Sequence, residues 1–341
     1  MADIVAVAIS GGVDSSVAAA LLQGKYDVFG VTMQLGSDQT VEDAGAVCQK
    51  LDIPLHVIDL EQQFQAEVID GFCEEYRRGR TPNPCVACNR RIKFGLLLEE
   101  VKNLGATCLA TGHYARIEQA DDRYRLLQAA DRQKDQSYFL YCLGQEELRC
   151  SLFPLSDYTK DEVRRMAADL GLPTSSARES QEICFIPDND YRRFLQACLP
   201  PLPGDIVDTG GATLGRHDGI SGYTIGQRHG LGIASGERRY VVSIDAEKNV
   251  VVVGPEQALW SDRLLAADVR FVSGAAPQGE IAVSAKIRYR AAEAPAVLSR
   301  RGDLWQVRFS RPQRAMAPGQ SVVFYRGEEV LGGGIIMEGI S

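Results

Sequence analysis

The sequence lacks any apolar run long enough to cross a membrane. Hydrophobic residues make up 45% of its 341 positions, but charged and small residues interrupt them well before the ~20 consecutive apolar positions that a spanning helix needs. No basic leader precedes the first apolar segment, which follows directly after Met1-Ala2-Asp3. These absences predict a cytoplasmic, globular protein without a membrane partner.

Paired metal ligands and paired disulfide cysteines are also scarce. The chain has nine cysteines, an odd number scattered along its length, which does not match the framework of a small secreted protein. Cys85 and Cys88 form a CxxC pair, but no second CxxC or CxxH supplies the other ligands of a closed zinc site. The sequence therefore predicts reduced thiols, of which a few have a chemical role.

Positive charge is in deficit overall but not everywhere. The formal net charge is −8, which by itself argues against a nucleic-acid partner. Residues 263–341, however, contain 11 Lys and Arg against 7 Asp and Glu. Because only charges near phosphates release counterions, an acidic protein can bind RNA through such a local patch. The asymmetry lies within ordinary surface usage and is weak evidence alone.

The most informative segment that is present is VAISGGVDSS, from Val7 to Ser16. An apolar run, Ile4 to Ile9, precedes its glycine pair and an alanine-rich run follows, which predicts a buried strand, a phosphate-binding loop and a helix. Glycines let phosphate oxygens approach the backbone, and serines add hydroxyl donors. The loop lacks the lysine of a Walker loop and carries Asp14, which suits Mg²⁺. A tight turn with a serine cap is the alternative.

Strands and helices alternate after this loop. Segments Asp27–Leu35, Pro54–Leu60 and Thr107–Gly112 predict further strands, Arg91–Asn103 predicts a helix, and Thr159–Glu162 is a capping box that begins another helix. This order predicts an α/β fold, a doubly wound parallel sheet with ligands at the carboxyl ends of its strands.

A proline-rich segment, Pro200 to Gly204, is the clearest domain boundary, because it cannot continue a helix. Short β-rich segments dominate beyond it and predict a small β-rich domain followed by a C-terminal β-barrel. We therefore expect a nucleotide-binding domain over residues 1–200, a central domain over 204–262 and the barrel over 263–341.

A second informative segment, Thr81 to Asn89, is a proline-stiffened loop that leads into a predicted helix. With Asn89 as N-cap and the basic run Arg90 to Lys93 behind it, Cys88 is expected to have a lowered pKa and to react as a thiolate. A redox pair, half of a zinc site and inert core cysteines are the alternatives. Cys184 has apolar neighbours and is equally compatible with a core position.

These motifs resemble one family along nearly the whole chain. The loop resembles that of the N-type ATP pyrophosphatases. The segments GRTPNPCVACNRRIKFG, ATGHYARI, ESQEICFIP, GYTIGQRHGLGI and APGQSVVFY occur in the order and spacing of the tRNA-specific 2-thiouridylases. Those enzymes replace the C2 oxygen of the wobble uridine of tRNA by sulfur and cleave ATP to AMP and pyrophosphate. The resemblance implies the α/β fold of the N-type ATP pyrophosphatases. It also implies tRNA sulfurtransferase activity and a C-terminal barrel that binds tRNA.

The resemblance also implies residue roles. Cys88 would be the nucleophile and Cys184 the persulfide carrier. The ATP site would comprise Ala8, Ile9, Ser10, Gly11, Gly12, Val13, Asp14, Ser15, Ser16, Met33 and Gly112. The target base would lie beside Asn83, Pro84 and Cys85, and tRNA would contact His113, Lys134, Asp135, Gln136, Arg288, Tyr289 and Gln320.

The chemistry explains why these residue types occur together. The C2 oxygen of a pyrimidine is a poor leaving group, and adenylation converts it into AMP. A persulfide on one cysteine can then deliver sulfur and be released by a second thiol, which requires two cysteines that meet. Such an enzyme would need ATP, Mg²⁺, the anticodon arm of tRNA, and a sulfur-donor relay protein or cysteine desulfurase.

One departure from the family keeps a second chemistry open. Many relatives carry Asp where this chain has Cys85, so Cys85, Cys88 and Cys184 could bind an iron–sulfur cluster with one open iron. The persulfide route is the preferred hypothesis. A different adenylating ligase with the same loop, or a tRNA-binding protein with an inactive nucleotide fold, would be the alternative functions.

Overall fold

The computed structural model describes residues 3–36, 38–175, 183–186, 190–233 and 237–340. Within these ranges the helices are α1 (Val13–Leu22), α2 (Asp38–Leu51), α3 (Glu61–Phe64), α4 (Gly71–Arg77), α5 (Pro84–Ala87), α6 (Leu98–Asn103), α7 (Gln145–Arg149), α8 (Lys160–Asp169) and α9 (Tyr191–Cys198). The strands are β1 (Ile4–Ala8), β2 (Asp27–Gln34), β3 (Leu55–Asp59), β4 (Cys108–Ala110), β5 (Ala115–Ala120), β6 (Arg123–Gln128), β7 (Ser151–Leu152), β8 (Gly204–Asp208), β9 (Thr213–His217), β10 (Tyr240–Asp245), β11 (Val250–Gly254), β12 (Trp260–Phe271), β13 (Ile281–Lys286), β14 (Ala294–Arg301), β15 (Leu304–Arg314), β16 (Ser321–Arg326) and β17 (Glu329–Ile340).

The first sheet is parallel, with the strand order β3-β2-β1-β4-β7. Its central strand β1 is buried on both faces, as an apolar run without alternation predicts, and Ala6 and Val7 have no exposed surface. The chain order reverses at β1, between β2 and β4, so the carboxyl end of β1 is a switch point at which α/β sheets bind ligands. The predicted doubly wound fold is confirmed.

The helix that carries Cys88 begins earlier than the sequence analysis placed it. Pro84 is the first residue of α5, as the fixed φ of proline favours, and Asn83 precedes it as the N-cap. A π-helical segment, Cys88–Leu97, and α6 then follow α5 without a break. The expectation that Asn89 is the N-cap is therefore wrong. Asn89 is buried inside the helix, where its side-chain amide donates to the carbonyl of Phe139 at 3.1 Å.

Two β-sheets follow the predicted boundary at Pro200. The central sheet has the order β10-β11-β8-β9. The C-terminal strands close into an antiparallel barrel, β12-β15-β14-β13-β16-β17, because β12 also pairs with β17. The predicted C-terminal barrel is confirmed.

The barrel and the first part of the chain share one sheet. The hairpin β5–β6 leaves the parallel sheet, and β6 pairs with β17, with Leu126 opposite Val330. Leu126, Val330, Tyr138 and Tyr325 belong to the same buried cluster as residues behind the parallel sheet. The barrel is therefore fixed against the part of the chain that contains the parallel sheet. None of the helices that the structure describes is both long and apolar enough for a membrane span.

Candidate functional site

The glycine-rich loop lies between β1 and α1, as predicted. Gly11 has φ +73°, and a Cβ there would lie 2.5 Å from the Cβ of Asp43, so the position accepts only glycine. The Ser10 backbone N–H donates to Ser15 Oγ at 3.2 Å, and the hydroxyls of Ser15 and Ser16 donate to the Gly12 carbonyl at 3.1 and 2.8 Å. These bonds fix the loop before any ligand binds.

A lysine that the sequence analysis missed lies beside this loop. Lys160 Nζ donates to both carboxylate oxygens of Asp14, at 2.6 and 2.7 Å, and the Tyr114 hydroxyl donates to Asp14 Oδ1 at 2.9 Å. The Lys160 side chain is only 9% exposed. Lys160 is the first residue of α8, a position where the helix dipole favours acidic side chains. A lysine at this unfavourable position was the sequence signal that could have indicated a functional role.

The other predicted nucleotide contacts approach the same loop. Gly112 follows β4, and a Cβ on it would lie 2.8 Å from both the carbonyl carbon of Asp14 and the nitrogen of Ser15. Met33 is near the carboxyl end of β2, the strand that neighbours β1. The structure thus brings Met33, Gly112 and the loop to one edge of the sheet.

Residues 111–114 connect this edge to the cysteine-bearing helix. Tyr114 faces Asp14, whereas His113 packs against Phe94 of that helix, with ring centroids 5.9 Å apart. The His113 Nδ1 atom is 2.8 Å from the hydroxyl of Thr111. Burial, with a smaller effect of Lys93, holds the pKa of His113 well below its usual value, so the imidazole is neutral at pH 7.

Three cysteine thiols lie near one another and near Lys93. Electrostatic interactions connect Cys88 with Cys85, with Cys184 and with Lys93. The side chains of Cys85 and Cys184 reach solvent, yet burial raises the pKa of both thiols, while Lys93 lowers it. The structure therefore brings together the predicted nucleophile and persulfide carrier.

The predicted low pKa of Cys88 is wrong. Burial raises the pKa of this thiol to about 11, and the opposing effect of Lys93 is smaller. Cys88 follows the first turn of the helix, and it is 8% exposed. Of the basic run, Arg90 pairs with Asp268 at 2.6 Å and Arg91 pairs with Glu67, so neither is directed at the thiol.

Cys184 lies on a short described segment, 183–186. Phe185 anchors it, because its ring packs edge-on against Phe64 and Phe72, with centroids 5.9 and 5.4 Å apart. The neighbouring Gln181 and Glu182 of the motif lie outside the described residues. Among the described residues, no three His, Cys, Asp or Glu side chains are grouped closely enough to hold a metal ion.

Several residues implied as tRNA contacts make internal bonds. Asp135 is buried, and its carboxylate accepts from the N–H groups of Ala129 and Ser137 and from the Ser137 hydroxyl. The Gln136 side-chain carbonyl accepts from the Tyr114 N–H at 3.1 Å. Lys134 is half-buried at the same turn. These bonds position the segment that carries Tyr114.

The barrel contributes residues to the same region. Tyr289 packs on Phe139 with ring centroids 4.5 Å apart, and Arg288 donates to the carbonyl of Arg314 at 2.5 Å. The Gln320 side-chain amide donates to the carbonyl of Thr81 at 2.8 Å, just before the predicted base-contacting residues. Of the implied tRNA contacts, Gln320 therefore lies at the beginning of the cysteine-bearing helix, and Tyr289 packs on Phe139, whose carbonyl accepts from Asn89 of that helix.

Fold and site together define a class: an α/β nucleotide-binding domain with a pyrophosphate-type loop, joined to two β-rich parts. Family models match in the same order, the "tRNA methyl transferase HUP domain" over residues 3–188, the "tRNA methyl transferase PRC-barrel domain" over 192–255 and the "Aminomethyltransferase beta-barrel domain" over 261–336.

Proteins of similar sequence align with nearly the whole chain. A tRNA-specific 2-thiouridylase of Heliobacterium modesticaldum is 50% identical, and the alignment covers 100% of this chain and 94% of the relative. One from Caldanaerobacter subterraneus subsp. tengcongensis is 49% identical, with 97% of each chain covered. One from Chloroflexus aurantiacus is 48% identical and covers 97% of this chain and 98% of the relative. The chain belongs to the tRNA-specific 2-thiouridylase family.

Proposed function

We propose that this protein replaces the C2 oxygen of the wobble uridine of tRNA by sulfur, with ATP cleaved to AMP and pyrophosphate. The observation that carries the proposal is the connection of two half-sites through residues 111–114. Gly112 and Tyr114 contact the phosphate loop, and His113 contacts the helix of Cys88. A nucleotide site and a thiol site that share one short segment suit a reaction that activates an oxygen and then replaces it by sulfur.

ATP is proposed to bind with its phosphates at the loop from Ser10 to Ser16 and its adenosine between Met33 and Gly112. Asp14 is the carboxylate of the loop itself, and a carboxylate combined with substrate phosphates is how Mg²⁺ is commonly bound. The ion would supply charge neutralisation for the departing pyrophosphate. Lys160 supplies a second positive charge beside the loop and holds Asp14 in place.

Sulfur is proposed to arrive as a persulfide on Cys184, whose side chain reaches solvent, where a sulfur-donor protein would meet it. Its outer sulfur would attack C2 of the adenylated uridine, and AMP would leave. Cys88 would then attack the remaining Cys184 sulfur, so that the sulfur–sulfur bond to the product breaks and a Cys88–Cys184 disulfide forms. An external thiol would reduce this disulfide before the next cycle.

The experiment supplies the protein with unmodified tRNA, α-labelled ATP, Mg²⁺ and a persulfide donor. We expect labelled AMP and 2-thiouridine in nucleosides analysed by mass spectrometry, both dependent on tRNA. Labelled AMP without 2-thiouridine would favour a different adenylating ligase. A protein that binds tRNA but forms neither product would be a binding protein with an inactive nucleotide site.

A further inference from the structure

The loop in front of the cysteine-bearing helix is attached to the barrel. The Thr81 N–H donates to the carbonyl of Pro318 at 2.8 Å. The side-chain amide of Gln320 donates to the carbonyl of Thr81 at 2.8 Å and lies 3.4 Å from that of Pro82. Thr81 and Pro82 immediately precede the N-cap Asn83, so these bonds fix the chain where the helix begins.

The barrel turn that makes these bonds is itself rigid. The Gly319 N–H donates to the carbonyl of Ile336, and the Ile336 N–H donates to the carbonyl of Gln320, both at 2.8 Å. Gly319 has φ +89°, and a Cβ there would lie 3.0 Å from the nitrogen of Thr81. The close approach of the two backbones therefore requires glycine at this position.

The central sheet supports the loop from another side. Gly79 has φ +69°, and a Cβ on it would lie 2.7 Å from Cγ2 of Ile244 in β10. The Arg80 side chain pairs with the Glu75 carboxylate in α4, and the Arg80 backbone N–H donates to the Glu75 backbone carbonyl at 2.9 Å. Residues 79–82 are thus held by the barrel, the central sheet and α4 together.

We propose that Gln320 is a positioning residue, which fixes the Thr81–Pro82 segment so that the beginning of α5 is presented to the target base. This inference rests on the proposed function. It differs from the role that the family resemblance implies, a direct contact with tRNA, because the side-chain amide nitrogen of Gln320 lies 2.8 Å from the carbonyl oxygen of Thr81 and 3.4 Å from that of Pro82. The barrel would then belong to the catalytic apparatus as well as to the RNA-binding surface.

The test compares Gln320→Met and Gln320→Glu, which keep the size of the side chain but remove its N–H donors, with Gln313→Met. Gln313 is a partly buried glutamine of the same barrel, and its side-chain amide donates to the carbonyl of Arg311 at 3.0 Å. Single-turnover thiolation at saturating tRNA and ATP, tRNA affinity, and amide hydrogen exchange of residues 78–84 are measured for each protein.

We expect both Gln320 variants to lose about ten- to a hundredfold in turnover, because small misplacements of reacting groups have effects of that size. The tRNA affinity of Gln320→Met should stay within about twofold of the wild-type value, because this neutral substitution removes no phosphate contact, whereas Gln320→Glu adds a negative charge and is compared by turnover and exchange alone. Exchange of residues 78–84 should accelerate, and Gln313→Met should change none of the three measurements.

A loss of tRNA affinity with turnover restored by excess tRNA would overturn the proposal in favour of direct contact. Unchanged exchange over residues 78–84 would also overturn it, and this measurement does not depend on the reaction. If the wild-type protein forms no 2-thiouridine, the proposed function fails, while exchange still decides whether Gln320 positions the loop. Thermal melting identifies a variant that is merely unfolded, and the test is then carried out with the other Gln320 variant.

Discussion

Replacement of Lys93 by methionine tests the electrostatics of the thiol site most directly. Burial raises the pKa of Cys88 to about 11, and Lys93 is the group that opposes this effect most strongly. With a pKa of about 11, roughly 3 in 10,000 molecules carry the Cys88 thiolate at pH 7.5. Because the thiolate is the nucleophile, any reaction of this residue should be slow at neutral pH and should accelerate as pH rises.

The rate of alkylation of Cys88 by iodoacetamide, followed by mass spectrometry of the peptide, measures this thiolate directly. Below the pKa, the rate should rise about tenfold per pH unit and show no plateau up to about pH 9.5. Lys93→Met removes a cation that favours the thiolate, so its pKa should rise further and the rate at any fixed pH should fall. A loss of about tenfold corresponds to one pKa unit.

Arg91→Met is the matched control. Arg91 lies on the same helix, but its guanidinium pairs with Glu67, so its removal should leave the alkylation rate of Cys88 unchanged. A plateau near pH 7 in the wild-type protein would refute the reasoning, since it would mean that helix position and basic neighbours outweigh burial. Equal effects of Lys93→Met and Arg91→Met would refute the assignment of the effect to Lys93.

The remaining predictions concern the reaction steps. Asp14→Ala should abolish release of AMP from α-labelled ATP, and labelled ADP from the wild-type protein would contradict a pyrophosphatase. Lys160→Met should lower turnover at saturating ATP about 10²-fold, and Lys160→Arg should restore part of it. Cys88→Ser and Cys184→Ser should each stop 2-thiouridine formation, whereas adenylation of tRNA, measured as pyrophosphate release, should survive in either variant. Normal 2-thiouridine in tRNA from cells holding only Cys184→Ser would remove that residue from the mechanism. Cys85→Ser should retain thiolation in iron-free protein given a persulfide donor, whereas activity that requires iron would favour the cluster hypothesis.

Local features of the sequence predicted local structure well. The strand, loop and helix around the glycine pair follow from patterns within a few residues of one another. The capping box at Thr159 is present, with Glu162 Oε2 accepting from the Thr159 N–H at 2.7 Å. The beginning of the Cys88 helix was also predictable in principle, since proline favours the first helical position, but Asn89 was the N-cap expected from the sequence. Where two local signals of similar strength compete, the sequence alone does not fix the first residue of a helix.

Long-range contacts were beyond the reach of the sequence. Lys160 and Asp14 are 146 positions apart, and no pattern connects them. The pairing of β6 with β17 depends on how two distant segments pack, and nothing in either segment specifies its partner. The pKa of Cys88 was predicted in the wrong direction for the same reason, because burial is set by elements distant in sequence and opposes the effect of its neighbours.

These long-range contacts also determine how the barrel can be tested. A chain ending near residue 262 would remove β17, the strand that pairs with β6, and Ser321, whose carbonyl accepts from the Tyr138 hydroxyl at 2.8 Å. Tyr138 is completely buried, so its hydroxyl would lose a partner inside the nucleotide-binding part of the chain. Loss of tRNA binding on truncation would therefore not separate a missing RNA surface from a damaged first domain. Point substitutions of exposed barrel residues such as Arg290 leave these internal contacts intact and isolate the contribution of the barrel's positive charge. Loss of a phosphate contact in such a variant should reduce the salt dependence of tRNA binding.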